Sequence, residues 1–360
     1  MRARRNRLLF ATGRKKRPGC LMFILLLVFF LGLGFALNAL SNGYPGLLHE
    51  TVRLPGLDEE LEGFRILHIS DLHAAEFGTA QERVRRLLGD QNYQAVCLTG
   101  DMVGLSGNAQ PLLDLLDIFP EDVPVFLVAG DNDPSPLEMK AHGDSAVKAD
   151  YVLAAEQHGA VYLDSPYKFT RGKRTIWFSP AVLYTTDLDA AEFSLTQRKA
   201  ELQANGGIYT PDGGAEARLV DYQLETLTKA REAASLMRPE DMTILLGHYP
   251  LDETTISQLH QGEREARKTV NFPGTVSLVL SGHWNNGQWR LPFAGPLRVP
   301  GRMMGLQGWL PGDDAVSGLA LVYAVYEYIS PGLGASGAYP WQPFRLLNKP
   351  QMTILKLSAR

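Results

Sequence analysis

The chain has 360 residues, enough for one large domain or two small ones, and its 45% hydrophobic and 21% charged content is that of a globular protein. Its net charge of −4 hides a division: eight of the 35 basic residues (Arg2, Arg4, Arg5, Arg7, Arg14, Lys15, Lys16 and Arg17) precede position 18 with no acid among them, leaving 27 against 39 acidic side chains beyond. That acidic body lacks the field of a general nucleic-acid binder, so holding an anionic ligand there requires local cations, from arginine or from metal.

Residues 1–19 form a basic tail. Cys20 to Leu40, CLMFILLLVFFLGLGFALNAL, is uncharged and at roughly 20 residues long enough to cross a bilayer as a helix. With the flanking charge all on its N-terminal side, the positive-inside rule keeps the tail in the cytoplasm and puts the body on the outer face of the cell membrane, as a single-pass protein. A cleaved signal peptide is the plainer alternative, but no small-x-small cleavage site follows the apolar run, which is longer than a usual signal core. The only cysteines, Cys20 at the membrane edge and Cys97 inside an apolar strand, are poorly placed for a disulfide.

Residues 41–63 read as a linker and a first strand, Glu50 to Leu57, and residues 64–360 as the main domain. Phe64 to His73, FRILHISDLH, is an apolar strand running into Asp71-Leu72-His73. A helix, Thr79 to Leu88, leads to strand Ala95 to Leu98 and Gly100-Asp101. A helix at Pro111 to Ile118 leads to strand Val123 to Ala129 and Gly130-Asp131-Asn132-Asp133. This β-α-β-α-β order predicts a parallel sheet with acids at the C-terminal strand ends, where open α/β sheets bind ligands.

A helix from Ala146 precedes short strands at Ala160 to Leu163 and Thr175 to Ser179. Residues 186–217 read as an irregular, Gly-rich insertion with a short helix, a lid or rim over the site. An amphipathic helix spans Ala217 to Leu236. Strand Met242 to Leu246 ends in Gly247-His248, and strand Val276 to Leu280 in Ser281-Gly282-His283. The tail holds apolar strands at Gly318 to Tyr326 and Met352 to Leu357, around a Gly/Pro-rich loop.

Five strands thus end in candidate ligands: Asp71 with His73, Asp101, Asp131, His248 and His283. Carboxylates and imidazoles converging from separate loops can build a two-metal centre. The ordered series Asp71-Leu72-His73, Gly100-Asp101, Gly130-Asp131-Asn132-Asp133, Gly247-His248 and Gly282-His283-Trp284-Asn285 resembles the calcineurin-like metallophosphoesterases over roughly residues 60 to 358. Gly287-Gln288-Trp289-Arg290-Leu291-Pro292, and Ser330-Pro331-Gly332-Leu333-Gly334 ahead of Arg345 and Asn348-Lys349-Pro350, look like the membrane-associated bacterial branch of that family.

The resemblance implies an α/β fold: a two-sheet αββα sandwich flanked by helices, preceded here by one N-terminal transmembrane helix. It implies divalent metal ions, two of them, which are Mn, Fe or Zn in the family. One would be held by Asp71, His73 and Asp101, with Asn285 where the family has a second histidine. The other would be held by Asp101, Asp131, His248 and His283, with Asp101 bridging. It implies hydrolysis of a phosphate ester or pyrophosphate through attack of a metal-bound hydroxide. The substrate is expected to be a phosphorylated small molecule or a lipid-linked one.

Three positions depart from the family pattern. Asp131 replaces an asparagine ligand and adds a negative charge. Asn132 replaces the histidine that protonates the leaving group or grips the phosphate, and an amide delivers no proton at neutral pH. Asn285 replaces an imidazole by an amide oxygen, a harder and weaker donor, which shifts preference towards Mn²⁺, Mg²⁺ or Ca²⁺, with Mn²⁺ or Mg²⁺ favoured.

Blander readings stand beside these. Asp71 and Asp101 could cap the helices that follow. Asn285 reads equally as a turn residue in Asn285-Asn286-Gly287, Asn132 as a turn residue before Asp133-Pro134, and a register with Asn132 as the ligand breaks the Gly-Asn spacing. His49, His68, His142, His158 and His260 match no motif and read as structural or surface residues. Arg290, Arg298 and Arg302 suit either a substrate phosphate or a sheet edge, and Trp284 and Trp289 either a pocket roof or the core.

Overall fold

A computed structural model describes residues 19–140, 147–260, 272–299, 308–311, 316–337 and 344–359, so that His142 and Arg302 lie outside the described residues. The chain divides into a unit ending at Leu40 and a second unit, Ser41–Arg360. Helix α1 (Gly19–Asn42) includes the stretch Leu21–Asn42, long and apolar enough to cross a membrane by length and composition.

In the second unit, β1 (Gly46–Arg53) is followed by β2 (Arg65–Ile69), α2 (Glu82–Leu88), β3 (Ala95–Thr99), α3 (Gln110–Leu116) and β4 (Val125–Val128). Next come α4 (Asp150–Gln157), β5 (Ala160–Tyr162), β6 (Tyr167–Arg171) and β7 (Arg174–Pro180). Helices α5 (Val182–Thr185), α6 (Leu188–Ala204) and α7 (Pro211–Leu236) precede β8 (Met242–Leu246), α8 (Glu253–His260) and β9 (Thr275–Ser281). A small ribbon, β10 (Arg290–Leu291) with β11 (Gly295–Pro296), leads to the hairpin β12 (Gly318–Val322) and β13 (Val325–Ile329), and β14 (Gln351–Ser358) closes the chain.

The strands form two six-stranded sheets, ordered β1-β14-β2-β3-β4-β5 and β12-β13-β9-β8-β7-β6. The β2-β3-β4-β5 run is parallel, as helical crossovers require. The period of two in each strand decides the layers. Ile66, Ala95, Cys97 and Phe126 meet Ile176, Phe178, Ile244, Leu278 and Leu280 in one cluster between the sheets. Their alternates Leu67, Ile69, Val96 and Leu98 pack on the other face against Val84, Leu88, Leu112, Leu115 and Val152 of α2, α3 and α4. On the second sheet, Trp177 meets Leu227, Ala230 and Ala233 of α7. The result is the helix-sheet-sheet-helix sandwich that the resemblance implies.

Three expectations are corrected. Residues 186–217 are not irregular. Asp187 caps α6 by accepting from the backbone N–H of Asp189 and Ala190, and Thr210 caps α7 by accepting from Gly213, with Pro211 in the first turn. Glycines suggested a break, yet Gly213 and Gly214 lie inside the first turn of α7. A Cβ on Gly213 would stand 2.2 Å from the Gly207 carbonyl oxygen, so close approach demands the glycine. Arg198 of α6 forks onto Glu216 of α7 at 2.6 and 3.0 Å, and Arg231 of α7 reaches back to Asp189 and Glu192. The strand expected over Gly318 to Tyr326 is a hairpin that turns at Tyr323-Ala324, with Tyr323 itself at φ 56°. No Asn-Gly or Asp-Gly pair announces that turn. β1 ends at Arg53, short of Leu57, and β6 was not expected from the sequence.

Cys97 is a free, buried thiol whose pKa burial pushes up. His68 is also buried in the sheet, its Nε2 2.7 Å from the Thr99 hydroxyl, and burial drops its pKa to about 3, leaving it neutral.

Glu327 of β13 is a buried acid, 1% exposed. Burial pushes its pKa to about 7, although the Leu251 N–H at 2.8 Å and the Ser281 hydroxyl at 3.3 Å both pull it down. Between its ordinary 4.5 and about 7, the folded chain keeps a proton that the unfolded chain has released. Glu327 therefore makes stability fall as pH rises through that window, and above it costs on the order of 3 kcal/mol. Glu327→Gln keeps the accepting oxygen and removes the charge. In denaturant unfolding, the variant should match wild type near pH 4.5 and exceed it by up to about 3 kcal/mol at pH 8.

Candidate metal centre

The expected ligands all lie just past the C-terminal ends of strands. Asp71 and His73 follow β2, Asp101 follows β3, Asp131 follows β4, His248 follows β8, and His283 and Asn285 follow β9. The chain turns sharply at these ends. Asp71 (φ 53°), His73 (φ 48°), Asp101 (φ 54°), His283 (φ 73°) and Asn285 (φ 49°) all adopt the left-handed region that non-glycine residues avoid. Surrounding bonds hold them there. The Asp71 N–H donates to the Gly100 carbonyl at 2.9 Å, His73 to Asp101 at 2.8 Å and Gly282 to His248 at 2.9 Å.

Two groups result, each with its ligand atoms within 4.8 Å of one another: Asp71, His73 and Asp101, and Asp101, Asp131, His248 and His283. Asp101 belongs to both. The His248 Nε2 lies 2.9 Å from Asp131 and 3.3 Å from Asp101. The His283 Nδ1 lies 3.1 Å from Asp131 and 3.2 Å from the His248 Nε2. The His73 Nε2 lies 3.6 Å from Asp101 and 3.9 Å from Asp71. Asp71, Asp101, His248 and His283 are buried, while Asp131 is 36% exposed at the open side.

The orientation of His248 tests whether a cation fits. Its Nδ1 is 2.9 Å from the Thr99 carbonyl oxygen. A carbonyl only accepts, so Nδ1 carries the hydrogen and the neutral ring aims the lone pair of Nε2 at two carboxylates. Lone pair facing lone pair is repulsive unless a cation lies between them. A proton can serve: although burial depresses the His248 pKa, its hydrogen bonds to Asp101 and Asp131 raise it well above the usual imidazole range. Burial likewise pushes Asp131 up, but His248 and His283 hold it below the ordinary carboxylate range. Two imidazole nitrogens and two carboxylates also suit a divalent metal. Glycines leave room for this packing: a Cβ on Gly100 would stand 2.5 Å from the His248 ring, and one on Gly130 would stand 2.1 Å from an Asp101 carboxylate oxygen.

Asn285 does not present its amide oxygen to the group. That oxygen lies 3.2 Å from the Arg345 guanidinium, which can only donate. The amide nitrogen therefore turns inward, 3.2 Å from Asp71 and 3.3 Å from the His73 Nε2. As placed, Asn285 donates to the ligands of the first group in place of joining them as the oxygen ligand the sequence suggested. Asn132 is also a donor: its backbone N–H reaches Asp101 at 2.8 Å and its side-chain amide the other oxygen at 2.7 Å.

Two residues were missed as site residues in the sequence. Asp133, the last residue of Gly130-Asp131-Asn132-Asp133, accepts from the backbone N–H groups of Met102 (3.2 Å), Val103 (2.8 Å), Gly104 (2.8 Å) and Gly130 (2.9 Å), locking the β3 and β4 loops together. Arg345, 1% exposed, places all five guanidinium N–H groups on oxygens: those of Asn348 (3.1 Å), Gly334 (2.7 Å) and Pro331 (2.7 Å), plus the Asn285 carbonyl (3.1 Å) and side chain. Burial lowers its pKa to about 9, which leaves it charged at neutral pH. The signal for both was the motif context, Ser330-Pro331-Gly332-Leu333-Gly334 and Asn348-Lys349-Pro350 for the second. The glycine-rich segment runs along the end of β2, where Gly334 donates to Asp71 and a Cβ would stand 2.0 Å from the Leu72 carbonyl oxygen.

Among the described residues, the arginines and tryptophans named in the sequence have partners of their own. Arg290 donates to Asn286, Arg298 lies over the Trp309 ring, Trp284 is buried in a small cluster, and the Trp289 indole donates to the Phe344 carbonyl. His158 sits 2.6 Å from Asp117 near the surface. The Tyr249 ring tilts against His283 with centroids 4.5 Å apart.

Comparison with known proteins places this geometry. The model of the calcineurin-like phosphoesterase family matches residues 64–286. The uncharacterized metallophosphoesterase YkuE of Bacillus subtilis is 33% identical over 94 residues, which span 26% of this chain and 28% of that protein. The crystal structure of the phosphopantetheinyl hydrolase PptH from Mycobacterium tuberculosis overlays 81% of this chain and 96% of its own, at 13% identity and a TM-score of 0.37, too low to carry weight.

Because every N–H of Arg345 is used, Arg345→Lys keeps a charge and strands several buried oxygens. It should lower unfolding stability by about 3 kcal/mol or more, measured by denaturant titration of the detergent-solubilised chain.

Proposed function

The chain belongs to the calcineurin-like phosphoesterase family, and from that premise we propose that it is a metal-dependent hydrolase of a phosphate ester or pyrophosphate. The substrate we propose is a cell-envelope compound, either a phosphorylated small molecule or a lipid-linked one. The observation that carries this reading is the His248 Nε2 aimed, with the His283 Nδ1, at the carboxylates of Asp101 and Asp131.

In this reading Asp101, Asp131, His248 and His283 hold one ion, and Asp71, His73 and Asp101 help to hold a second. Divalent ions bound there would supply positive charge that neutralises phosphoryl oxygens and eases deprotonation of an attacking water. The chain's own residues do the rest. Asp133 ties the loops bearing Asp101 and Asp131, so the two carboxylates keep their spacing. Asn132 holds both oxygens of Asp101 and cannot supply a proton to the leaving group. A missing general acid typically costs about 10² to 10⁴ in rate, so turnover should favour leaving groups that need no proton. Exposed Asp131 repels a bare anion, which makes phosphate binding depend on bound cations. Residues 64–360 form the hydrolase domain in this proposal. Residues 20–40 cross the membrane once, with the basic tail of residues 1–19 inside and the domain outside.

Asn285 favours a second reading. With its oxygen engaged by Arg345, the first group has one ligand fewer than the family pattern supplies, which suits a protein that binds a phosphorylated ligand without turning it over. Metal analysis separates the two: one ion per chain or fewer, with no gain from activated leaving groups, favours the binder.

The purified full chain with Mn²⁺ should hydrolyse bis(4-nitrophenyl) phosphate, lose that activity to a chelator and regain it with added Mn²⁺. Asp101→Ala should reduce turnover at least about 1000-fold. Failure to turn over across a panel of divalent ions would overturn the hydrolase reading.

A further inference from the structure

A cavity of about 480 Å³ adjoins the candidate metal centre. Its wall includes Gly247 and His248, and Ala129, which leads into Gly130-Asp131. It therefore continues from the place where a phosphoryl group would be held. The insertion between β7 and β8 also contributes to the wall, through Leu188, Ala191 and Leu195 of α6 and Leu227 of α7.

Its chemistry is unlike that of the centre. Among the described residues no lysine or arginine lines it, so these offer nothing to a second phosphate. Two of the polar groups in the wall are engaged with other wall residues: the Tyr222 hydroxyl donates to Asp164, and the Thr226 hydroxyl donates to the Tyr222 carbonyl at 3.0 Å. What remains for a ligand is mainly aliphatic surface, in a volume typical of small-molecule sites.

We infer that this cavity receives an alkyl or acyl arm of the substrate while its phosphate sits at the Asp101–His248 centre. This rests on the hydrolase reading for turnover, but not for binding. The helical insertion is then a specificity wall, with Ala191 and Leu195, one helical turn apart, setting the width. Each methylene buried contributes about fourfold in affinity.

The test compares ethyl and octyl chains below micellar concentrations, using the full chain loaded with Mn²⁺. One arm measures KM for ethyl and octyl 4-nitrophenyl phosphodiesters. The other measures Kd for ethyl phosphate and octyl phosphate by calorimetry. The octyl compounds should be favoured by at least about 100-fold, towards the roughly 4000-fold that six fully buried methylenes would give, and Ala191→Trp or Leu195→Trp should erase that preference while leaving ethyl ester turnover unchanged. If neither ester is hydrolysed but octyl phosphate keeps its advantage and loses it in the variants, the cavity assignment stands and the hydrolase reading falls. Equal values for both chain lengths in the wild type overturn the assignment, with hydrolysis intact or not. So does a chain-length preference that survives in two folded tryptophan variants. Should neither variant fold, the wild-type ratio alone decides.

Discussion

The backbone N–H of His283 donates to the Asp71 carboxylate at 3.1 Å across the seam between the two sheets. That bond fixes how the strand ends of one sheet meet those of the other. Gly282 makes the approach feasible, since a Cβ there would stand 2.6 Å from an Asp71 oxygen and from the Ser70 side chain. With the seam closed, imidazoles from β8 and β9 reach carboxylates from β2, β3 and β4. Between the sheets the contact is apolar, Phe126 stacking on Phe178 with centroids 4.5 Å apart. Burial of this kind supplies stability without direction. Hydrogen bonds at the seam supply the direction that a metal site needs.

Burial sets the electrical character of the centre. Asp71 is fully enclosed, and burial raises its carboxyl, offset by the nearby imidazoles. Burial also raises Asp101, yet the His248 hydrogen bond brings it below its ordinary value. Beyond His248, the neighbouring cavity has one carboxylate in its wall, Asp164, which the Tyr222 hydroxyl engages. One region is built from titratable groups and the next mainly from apolar ones, with His248 in the wall of both. Such a division matches a ligand with a charged head and an apolar arm.

Arg345 shows how a single buried cation can settle the chemistry of a distant motif. It reads the carbonyls of Pro331 and Gly334, holds Asn348, and turns the Asn285 amide over. Asn348 repeats the grip by donating to the Asn285 carbonyl at 2.9 Å. A residue that departs from the family pattern is thus clamped on its amide oxygen and its carbonyl. Its orientation follows from donor and acceptor accounting in a dry site, where an unpaired group is costly.

The β-α-β-α-β order, the candidate ligands at its strand ends and the family were legible in the sequence, because each is local. Period two marks a strand, and Asp71, His73, Asp101, Asp131, His248 and His283 stand immediately after one. Lying next to a strand end also fixes roughly where such a residue falls once the sheet forms. The insertion was misread because Gly213 and Gly214 carry the same letter whether they break a helix or let Gly207 approach one. The hairpin at Tyr323 was hidden because that turn uses no favoured residue. What only the tertiary structure decided is which atom of each side chain faces which neighbour. Asn285 offers nitrogen, His248 offers Nε2 and Asp133 faces backbone because partners far away in the chain, Arg345, Thr99 and the Met102–Gly104 loop, claim the other positions. Such claims are pairwise and long-range, and no local pattern encodes them.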